Sequence, residues 1–266
     1  MTTLRREFLL LAIVCTSLLS ACSTTPAVDA NVRQTLAPTG TLRVGVYPGS
    51  PTSMVRDPKT GETAGVTLNL GQALARDMGV PVQLVEFARV AQVIDALKAG
   101  AVDFTFTNAT DARAKDVQFT APLLQLELGY LVPPGSAIAK ITDVDRTGVR
   151  VGVTQGSTSL GVLTRTYQAA TLRTASSIDE AQQMLRRGEI DAFATNKGIL
   201  FEMADALPGC RVLNGRWGAE NLAIAVPKGR EAGMPYLRRF AQEAQSNGLL
   251  QSFVTRSGLR GTVRPE

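Results

Sequence analysis

Residues 97–108 read LKAGAVDFTFTN, and residues 185–196 read LRRGEIDAFATN. Leucine, glycine, aspartate, threonine and asparagine occupy the same places in both stretches, at a constant offset along the chain. In each stretch the pattern predicts an amphipathic helix that ends at a glycine, followed by a strand that ends in Thr-Asn. Ligands of open α/β sheets bind outside the carboxyl ends of the strands. The repeat therefore predicts two similar lobes, each of which presents a Thr-Asn pair to a shared cleft.

The segments before each repeat complete the same order of strands and helices. Residues 41–46, 81–87 and 102–107 are predicted strands, with apolar residues at helical spacing between them. Residues 148–153 and 190–194 repeat the first and third of these strands in the second half. This βαβαβ order implies a mainly parallel sheet with right-handed crossovers, flanked by helices.

Two apolar segments, residues 129–132 and 222–226, are expected to cross between the lobes. Two crossings make a hinge, which suits closure around a ligand. We therefore predict an α/β protein in which residues 40–129 together with 227–266 form a discontinuous first lobe. Residues 130–226 form the second lobe.

The N-terminal region predicts export and lipid attachment. Residues 1–21 are predicted to be a signal peptide, because two arginines precede an apolar run too short to span a bilayer. Residues 19–22 read LSAC and match the bacterial lipobox, in which Cys22 would carry the lipid; the alternative is an ordinary signal with a chance cysteine. The arginine pair also resembles a twin-arginine signal, so both export routes stay open. Polar composition with two prolines predicts a flexible, lipid-anchored linker over residues 22–39.

Composition excludes several classes of chemistry. The sequence contains no histidine, which removes Ser-His-Asp and Cys-His nucleophiles and His-ligated zinc or iron. It has no phosphate-loop or dinucleotide glycine motif and no carboxylates at calcium-loop spacing. The net charge of +5 is scattered and aromatic residues make up 5%, so a nucleic-acid partner is not expected. We expect no metal and no cofactor.

Two strand-end loops carry candidate anion-binding groups. Arg113 follows the third strand, where its guanidinium can grip a carboxylate in a bidentate way; the alternative is a surface arginine that pairs with Asp111 or Asp116. Ser157 and Thr158 open a predicted helix in the second lobe, whose free N–H groups can bind an anion. The alternative there is a plain helix N-cap.

The order and spacing of six short motifs resemble the family 3 extracellular solute-binding proteins, which deliver polar amino acids and similar solutes to bacterial ABC importers. The resemblance covers residues 40–258. Its marks are GTLRVGV at 40–46, AGVTLNL at 64–70, ALKAGAVD at 96–103, Arg113 followed by FTAP at 119–122, VGVTQGST at 151–158 and GEIDA at 188–192.

The resemblance implies an architecture, a partner and site residues. The fold would be the two-lobed periplasmic binding protein fold of type II with a two-crossing hinge, acting as a monomer beside the transmembrane subunits of an ABC importer. Arg113 matches the arginine that grips the ligand's α-carboxylate, and Ser157 and Thr158 match the loop that binds the same group. Asn108 and Thr110 match the ligand contacts after the third strand.

Other positions depart from the family pattern. Asn196 stands where the family commonly has an aspartate that binds the α-ammonium, and a neutral amide cannot give that charge-assisted bond. The groups that often sandwich the ligand fall at Ser50 and Val90, with Tyr47 and Phe87 nearby as substitutes. We therefore expect a small solute that carries an anionic group and is not necessarily an α-amino acid.

Three functions compete at this point. The leading one is a lipid-anchored, exported capture protein for an importer, without enzymatic activity. A dehydratase-type enzyme on the same fold, similar to cyclohexadienyl dehydratases, would need a carboxylate acid or base in the cleft, whereas the predicted cleft loops carry mainly hydroxyls, amides and one arginine. The third is a solute sensor that acts on a membrane partner.

Overall fold

Each half of the molecule is built on parallel strands, in a computed structural model that describes residues 28–57 and 59–263. Within these residues no helix combines the length and the apolar character needed to cross a bilayer. From the N-terminal side, the described elements up to the first long strand are α1 (Ala30–Leu36), β1 (Leu42–Val46), β2 (Val55–Arg56), β3 (Thr63–Ala64), α2 (Val66–Met78), β4 (Val82–Glu86), α3 (Val90–Lys98), β5 (Thr105–Asn108), α4 (Asp111–Ala114), β6 (Val117–Phe119) and β7 (Leu124–Val132).

A 3-10 turn, Ile141–Asp143, follows β7, and a second 3-10 turn, Glu231–Gly233, lies between the last long strand and the helix that begins at Met234. The remaining helices and strands all come after the first of these turns. They are β8 (Arg150–Thr154), α5 (Thr158–Thr166), β9 (Thr171–Ala175), α6 (Ile178–Arg186), β10 (Ala192–Asn196), α7 (Lys197–Ala206), β11 (Arg211–Val212), β12 (Gly218–Pro227), α8 (Met234–Ser246), α9 (Leu249–Arg256) and β13 (Thr262–Val263).

The two lobes use the same strand order. In lobe 1, β1 pairs in parallel with β4 on one side, and a parallel bridge from Val44 to Phe104 joins it to the start of β5 on the other. In lobe 2, β8 lies between β9 and β10 and is parallel to both. An antiparallel strand completes each sheet, β12 beside β5 and β7 beside β10. The predicted two-lobed α/β fold, with a mainly parallel sheet in each lobe, is confirmed.

The crossing between lobes takes place on β7 and β12. These strands pair with each other in antiparallel register, from Leu124 opposite Leu222 to Leu128 opposite Gly218. Beyond that shared ladder β7 continues into lobe 2 and β12 into lobe 1. The crossing thus begins several residues before the apolar segments that predicted it. Polar residues such as Glu127 and Glu220 occur there among apolar ones, so the crossing strands are longer than the apolar segments alone.

An aspartate bound by an arginine explains why the repeat contains Asp at the same place twice. In lobe 1 the Asp103 carboxylate accepts hydrogen bonds from the Arg43 backbone N (3.1 Å), Nε (2.8 Å) and Nη2 (2.8 Å). In lobe 2 Asp191 accepts the same three from Arg150, at 2.8, 3.0 and 2.7 Å. Each pair ties the entry of the third strand to the first strand of its lobe.

Apolar side chains fix the layers of each lobe. In lobe 1, α2 packs on β1 and β5 and contacts α9, which brings Leu70, Phe104 and Phe253 into one buried cluster. In lobe 2, Phe193 and Leu200 belong to the corresponding cluster under α6 and α7. Full burial of one such side chain contributes about 1.5–3 kcal/mol. The cores hold the strand ends in place, and the strand ends carry the site.

The flexible linker predicted for residues 22–39 is wrong over much of its described part. Residues 30–36 form α1, capped by the Asp29 side chain, which accepts from Asn31 N at 2.9 Å. Leu36 is buried in the lobe 1 core, and the Arg230 guanidinium donates to the Thr35 carbonyl. A few apolar residues in a polar stretch were enough to dock the helix. The predicted signal peptide and Cys22 lie outside the described residues.

Candidate functional site

A polar cavity lies between the two lobes. Its empty volume is about 520 Å³ including the opening to solvent. Strand ends and helix starts of both lobes supply the walls. The lining residues are Tyr47, Thr52, Arg89, Val90, Thr107, Arg113, Thr154, Ser157, Thr158, Ser159, Ile178, Thr195, Asn196, Ile199, Glu220 and Leu222.

Arg113 reaches the cavity from α4, the short helix after β5. Its Nη1 donates to Thr107 Oγ1 at 3.0 Å and to the Asn108 carbonyl at 3.1 Å, so the guanidinium is held in one orientation. Among residues 28–57 and 59–263, Nε and Nη2 make no hydrogen bond, and no carboxylate lies within ion-pair distance. Burial lowers the pKa of Arg113, while the nearby Glu220 carboxylate raises it. The donors left over can receive an anionic group.

The alternative of a surface arginine paired with a neighbouring aspartate is wrong. Asp116 contacts Lys98 Nζ at 2.7 Å, and Arg113 points toward Thr107 instead. Thr110 has a different place from the one the resemblance implied. It caps α4 by accepting from Arg113 N at 3.2 Å and does not line the cavity. Thr110 therefore positions the residue that faces the cavity.

The start of α5 supplies the facing wall in lobe 2. Ser157 caps the helix, since its Oγ accepts from Leu160 N at 3.1 Å, so the plain N-cap alternative holds for this hydroxyl. Thr158 Oγ1 donates to Glu220 Oε1 at 3.1 Å and accepts from Asn108 Nδ2 at 3.4 Å. Both residues line the cavity as predicted, but their hydroxyls already have partners in the protein.

Glu220 is a functional candidate that sequence reasoning missed. It lies on β12 with 8% exposure, and its carboxylate accepts from Thr158 Oγ1 and from Asn196 Nδ2, each at 3.1 Å. Burial raises the pKa of Glu220, and the Arg113 charge lowers it. The cleft loops were expected to carry mainly hydroxyls, amides and one arginine, and the structure adds this carboxylate from a crossing strand. An acidic residue two positions before the apolar run 222–226 was the available signal.

Asn196 performs two tasks at once. Its Oδ1 accepts from Ile199 N at 3.1 Å and so caps α7, while its Nδ2 donates to Glu220 Oε2. Asn196, which stands where the family commonly has an aspartate, thus donates a hydrogen bond to a carboxylate supplied by another strand. Both residues line the cavity, so both affect which ligand it can bind.

The predicted sandwich residues divide into two groups. Tyr47 and Val90 line the cavity, and Tyr47 also packs against the lobe 2 core. Ser50 is fully buried behind Tyr47, where its Oγ lies 2.8 Å from Thr52 Oγ1. Phe87 packs in the core of lobe 1 and is not part of the lining. Tyr47 and Val90 are therefore the side chains that can cover a ligand.

The lobes touch around the cavity. Asn108, also behind the lining, reaches Thr158 of the other lobe, and Arg89 Nη1 donates to the Ser176 carbonyl at 3.4 Å. Gly156, at φ 69°, lies so close to Ala91 that a Cβ would meet the alanine Cβ at 2.6 Å. The structure therefore shows the closed arrangement of the lobes.

Two lobes that close on a polar cavity with an arginine on one wall define a solute-binding protein. The model of the bacterial extracellular solute-binding proteins, family 3, matches residues 42–256, and the chain belongs to this family.

Relatives of known assignment are amino-acid receptors. The chain is 25% identical to the ABC transporter glutamine-binding protein GlnH of Bacillus subtilis (strain 168) over 198 residues, which cover 73% of this chain and 72% of the relative. It is 26% identical to the glutamine-binding protein of Geobacillus stearothermophilus over 210 residues, 77% and 80% of the two chains.

Solved structures with the same fold point to the same class. An ancestral arginine-binding protein bound to glutamine gives a TM-score of 0.73 at 25% identity, covering 82% of this chain and 97% of that one. An ancestral amino acid-binding protein, a precursor of cyclohexadienyl dehydratase, gives 0.72 at 26% identity, covering 82% and 96%. The family and the fold implied by the sequence motifs are confirmed.

Proposed function

We propose that this protein is the substrate-binding lipoprotein of an ABC importer and captures a small carboxylate-bearing solute, an amino acid or an analogue, between its lobes. The observation that carries the proposal is Arg113. Its guanidinium is fixed by Thr107 and Asn108, yet it keeps donors directed to the cavity. A partly buried guanidinium with free N–H groups favours a bidentate carboxylate.

The rest of the cavity lining supports a ligand of this kind. Tyr47 and Val90 offer apolar cover, and the start of α5 supplies backbone N–H groups at a helix N-terminus. The relatives named for glutamine binding belong to the same class of transport component. Closure of the lobes would remove the bound solute from water, as expected for a receptor that hands its ligand to a transporter.

A thermal-shift screen of the exported protein, purified in detergent, tests the proposal. Binding to the folded state raises the melting temperature in proportion to RT ln(1 + [L]/Kd). We expect at least one amino acid or related carboxylate to raise it by several degrees. No shift with any amino acid, organic acid or short peptide would contradict the proposal.

Lipid attachment at Cys22 is part of the proposal and rests on the lipobox at residues 19–22. Mass spectrometry of the protein from membranes should show a lipid-modified N-terminal cysteine. Cys22→Ala should release the protein from the membrane fraction or block its maturation. An unmodified mature N-terminus at another residue would show an ordinary signal peptide.

One observation favours a second candidate, a dehydratase-type enzyme. Glu220 brings a buried carboxyl group to the cavity, where it could serve as a general acid or base, and burial raises its pKa. A fold neighbour is a precursor of cyclohexadienyl dehydratase. Consumption of prephenate or arogenate by the pure protein, lost in Glu220→Gln, would establish this candidate. Unchanged substrate after prolonged incubation would exclude these two reactions.

A sensor role is separated from transport by uptake. If the protein feeds an importer, cells that lack it should lose high-affinity uptake of the solute found in the screen. Unchanged uptake, together with a lost transcriptional or behavioural response to that solute, would favour a sensor that acts on a membrane partner.

A further inference from the structure

We infer that Glu220 binds a cationic amine of the ligand, so that the site takes zwitterionic amino acids in preference to carboxylic acids that lack the amine. This inference rests on the proposed function and specifies its substrate class. It assigns the amine to the crossing strand β12, whereas the resemblance placed the amine-binding group at position 196.

Glu220 lies on the crossing strand β12, between the two lobes. β12 leaves lobe 2 at Gly218 and enters lobe 1 near Leu222, so residue 220 lies where the lobes meet. Its side chain lines the cavity, with the residue only 8% exposed. A ligand held between the lobes would lie against this carboxylate.

Within the part of the chain that the structure describes, the Glu220 carboxylate forms no ion pair with a lysine or an arginine. Both hydrogen bonds to it come from neutral groups, the Thr158 hydroxyl and the Asn196 amide. Within residues 28–57 and 59–263, no lysine or arginine nitrogen lies within 4.0 Å of it. Buried charges in proteins are normally paired, because an unpaired charge is costly to desolvate. A cationic group of the ligand would supply the missing partner.

Glu220 and Arg113 line the same cavity. The two opposite charges face one cavity, interact electrostatically, and do not form an ion pair with each other. An α-amino acid carries an anionic and a cationic group on neighbouring atoms, and it can bridge two such residues. A simple carboxylic acid would satisfy Arg113 and leave Glu220 unpaired.

The hydrogen bonds of Asn196 agree with this assignment. An aspartate at position 196 would place a second carboxylate 3.1 Å from Glu220 Oε2, where like charges repel. The asparagine amide instead donates to Glu220 and fixes its orientation. Asn196 is therefore a positioning residue for the amine-binding carboxylate, and the loss of the family's aspartate does not remove the amine site.

The charge state of Glu220 gives a second readout. Burial raises its pKa in the ligand-free protein, with Arg113 lowering it and the buried Tyr47 hydroxyl as the other titratable neighbour. A bound ammonium favours the ionised carboxylate, so binding should lower the pKa of Glu220 and release any proton that the ligand-free carboxyl group holds. The measured heat should then depend on the ionisation enthalpy of the buffer.

Calorimetry on the wild-type protein, Glu220→Gln and the control Glu243→Gln tests the inference. Glu243 is an exposed acid on α8, outside the cavity. For the amino acid found in the screen and its des-amino analogue, we expect wild type and the control to prefer the amino acid. Glu220→Gln should weaken amino-acid binding roughly 10- to 100-fold and reduce that preference.

The outcomes separate the inference from the proposed function. If no carboxylate-bearing solute binds, the proposed function fails. If wild type binds the des-amino analogue as tightly as the amino acid, the proposed function stands and the inference is overturned. This wild-type comparison decides the matter even if Glu220→Gln does not fold. Partial recovery of affinity in Glu220→Asp would support a role for the charge itself.

Discussion

At the scale of single residues, the site contains two opposite charges, Arg113 and Glu220, and neutral neighbours fix the orientation of each. Thr107 and Asn108 orient Arg113, and Thr158 and Asn196 orient Glu220. Neutral partners hold each charge in place without neutralising it. Both charges are therefore available to a ligand, and the protein bears the cost of burying them.

Glu220 should make the ligand-free protein less stable as the pH rises. Its pKa is raised in the folded state, so between its ordinary pKa and the raised value the native state binds more protons than the unfolded state. The stabilisation from this group is complete below the ordinary pKa and is lost as the pH rises through the folded value. In Glu220→Gln this dependence is removed.

Melting temperatures of wild type and Glu220→Gln, measured without ligand from about pH 4 to about pH 8, check this prediction. We expect wild type to lose stability relative to the variant as the pH rises. The exposed Glu243→Gln serves as the control and should follow wild type. A difference between wild type and Glu220→Gln that is constant over the range would contradict the prediction.

Asn196→Asp restores the residue that the family pattern favours, yet it should harm the ligand-free protein. Aspartate can still cap α7, but its carboxylate would stand beside that of Glu220. We expect a lower melting temperature at about pH 8 than in wild type, and a smaller difference at about pH 5, where one carboxyl is protonated. A variant as stable as wild type at both pH values would be evidence against this electrostatic account.

At the scale of elements, the repeated arginine–aspartate pairs have different surroundings in the two lobes. The Asp103 side chain is fully buried and also meets Arg230 at 3.2 Å, whereas the Asp191 side chain is 34% exposed. Arg43 and Arg150 otherwise bind their aspartates in the same way. The two pairs are therefore similar in sequence, but we do not expect them to contribute equally to the free energy of unfolding.

Asp103→Asn should cost more stability than Asp191→Asn. Breaking a buried ion pair leaves uncompensated charge and costs about 3–5 kcal/mol, whereas exposed pairs contribute about 0.2–1 kcal/mol. Urea unfolding of both variants measures the two losses. Because the pairs match atom for atom, each variant serves as the control for the other. Equal losses would mean that burial does not set the difference.

The repeat made the third strand of each lobe predictable, because its apolar and polar positions occur twice. Arg113 was also predictable, because its position at a strand end is local information. Glu220 was not, since its role depends on the long-range pairing of β12 with β7 and on a cap at Asn196. Helix α1 was missed because the few apolar anchors that dock it on lobe 1 lie in a polar segment.

At the scale of the whole molecule, the C-terminal segment contacts both lobes. After α9 of lobe 1, β13 pairs with the crossing strand β7, and Arg260 pairs with Asp205 on α7 of lobe 2 and lies over the Phe201 ring at 4.8 Å. The predicted assignment of residues 227–266 to lobe 1 alone omits these contacts. The segment lies beside the hinge and joins the lobes a third time.

Arg260→Ala should favour the open arrangement of the ligand-free protein. The change removes an exposed ion pair and a cation–π contact between the lobes, which contribute at most about 1 kcal/mol each. Small-angle scattering should show a larger radius of gyration than wild type without ligand, and equal values at saturating ligand. Identical radii in both states would show that the segment does not influence opening.

The central claim is that Arg113 holds the carboxylate of a solute captured between the lobes, and calorimetry of Arg113→Met with the solute from the screen tests it most directly. The control is Arg165→Met, an exposed arginine on α5 outside the cavity. We predict one site per chain in wild type and in the control, and at least a roughly 100-fold loss of affinity in Arg113→Met. Affinity in Arg113→Met equal to that of wild type would contradict the account.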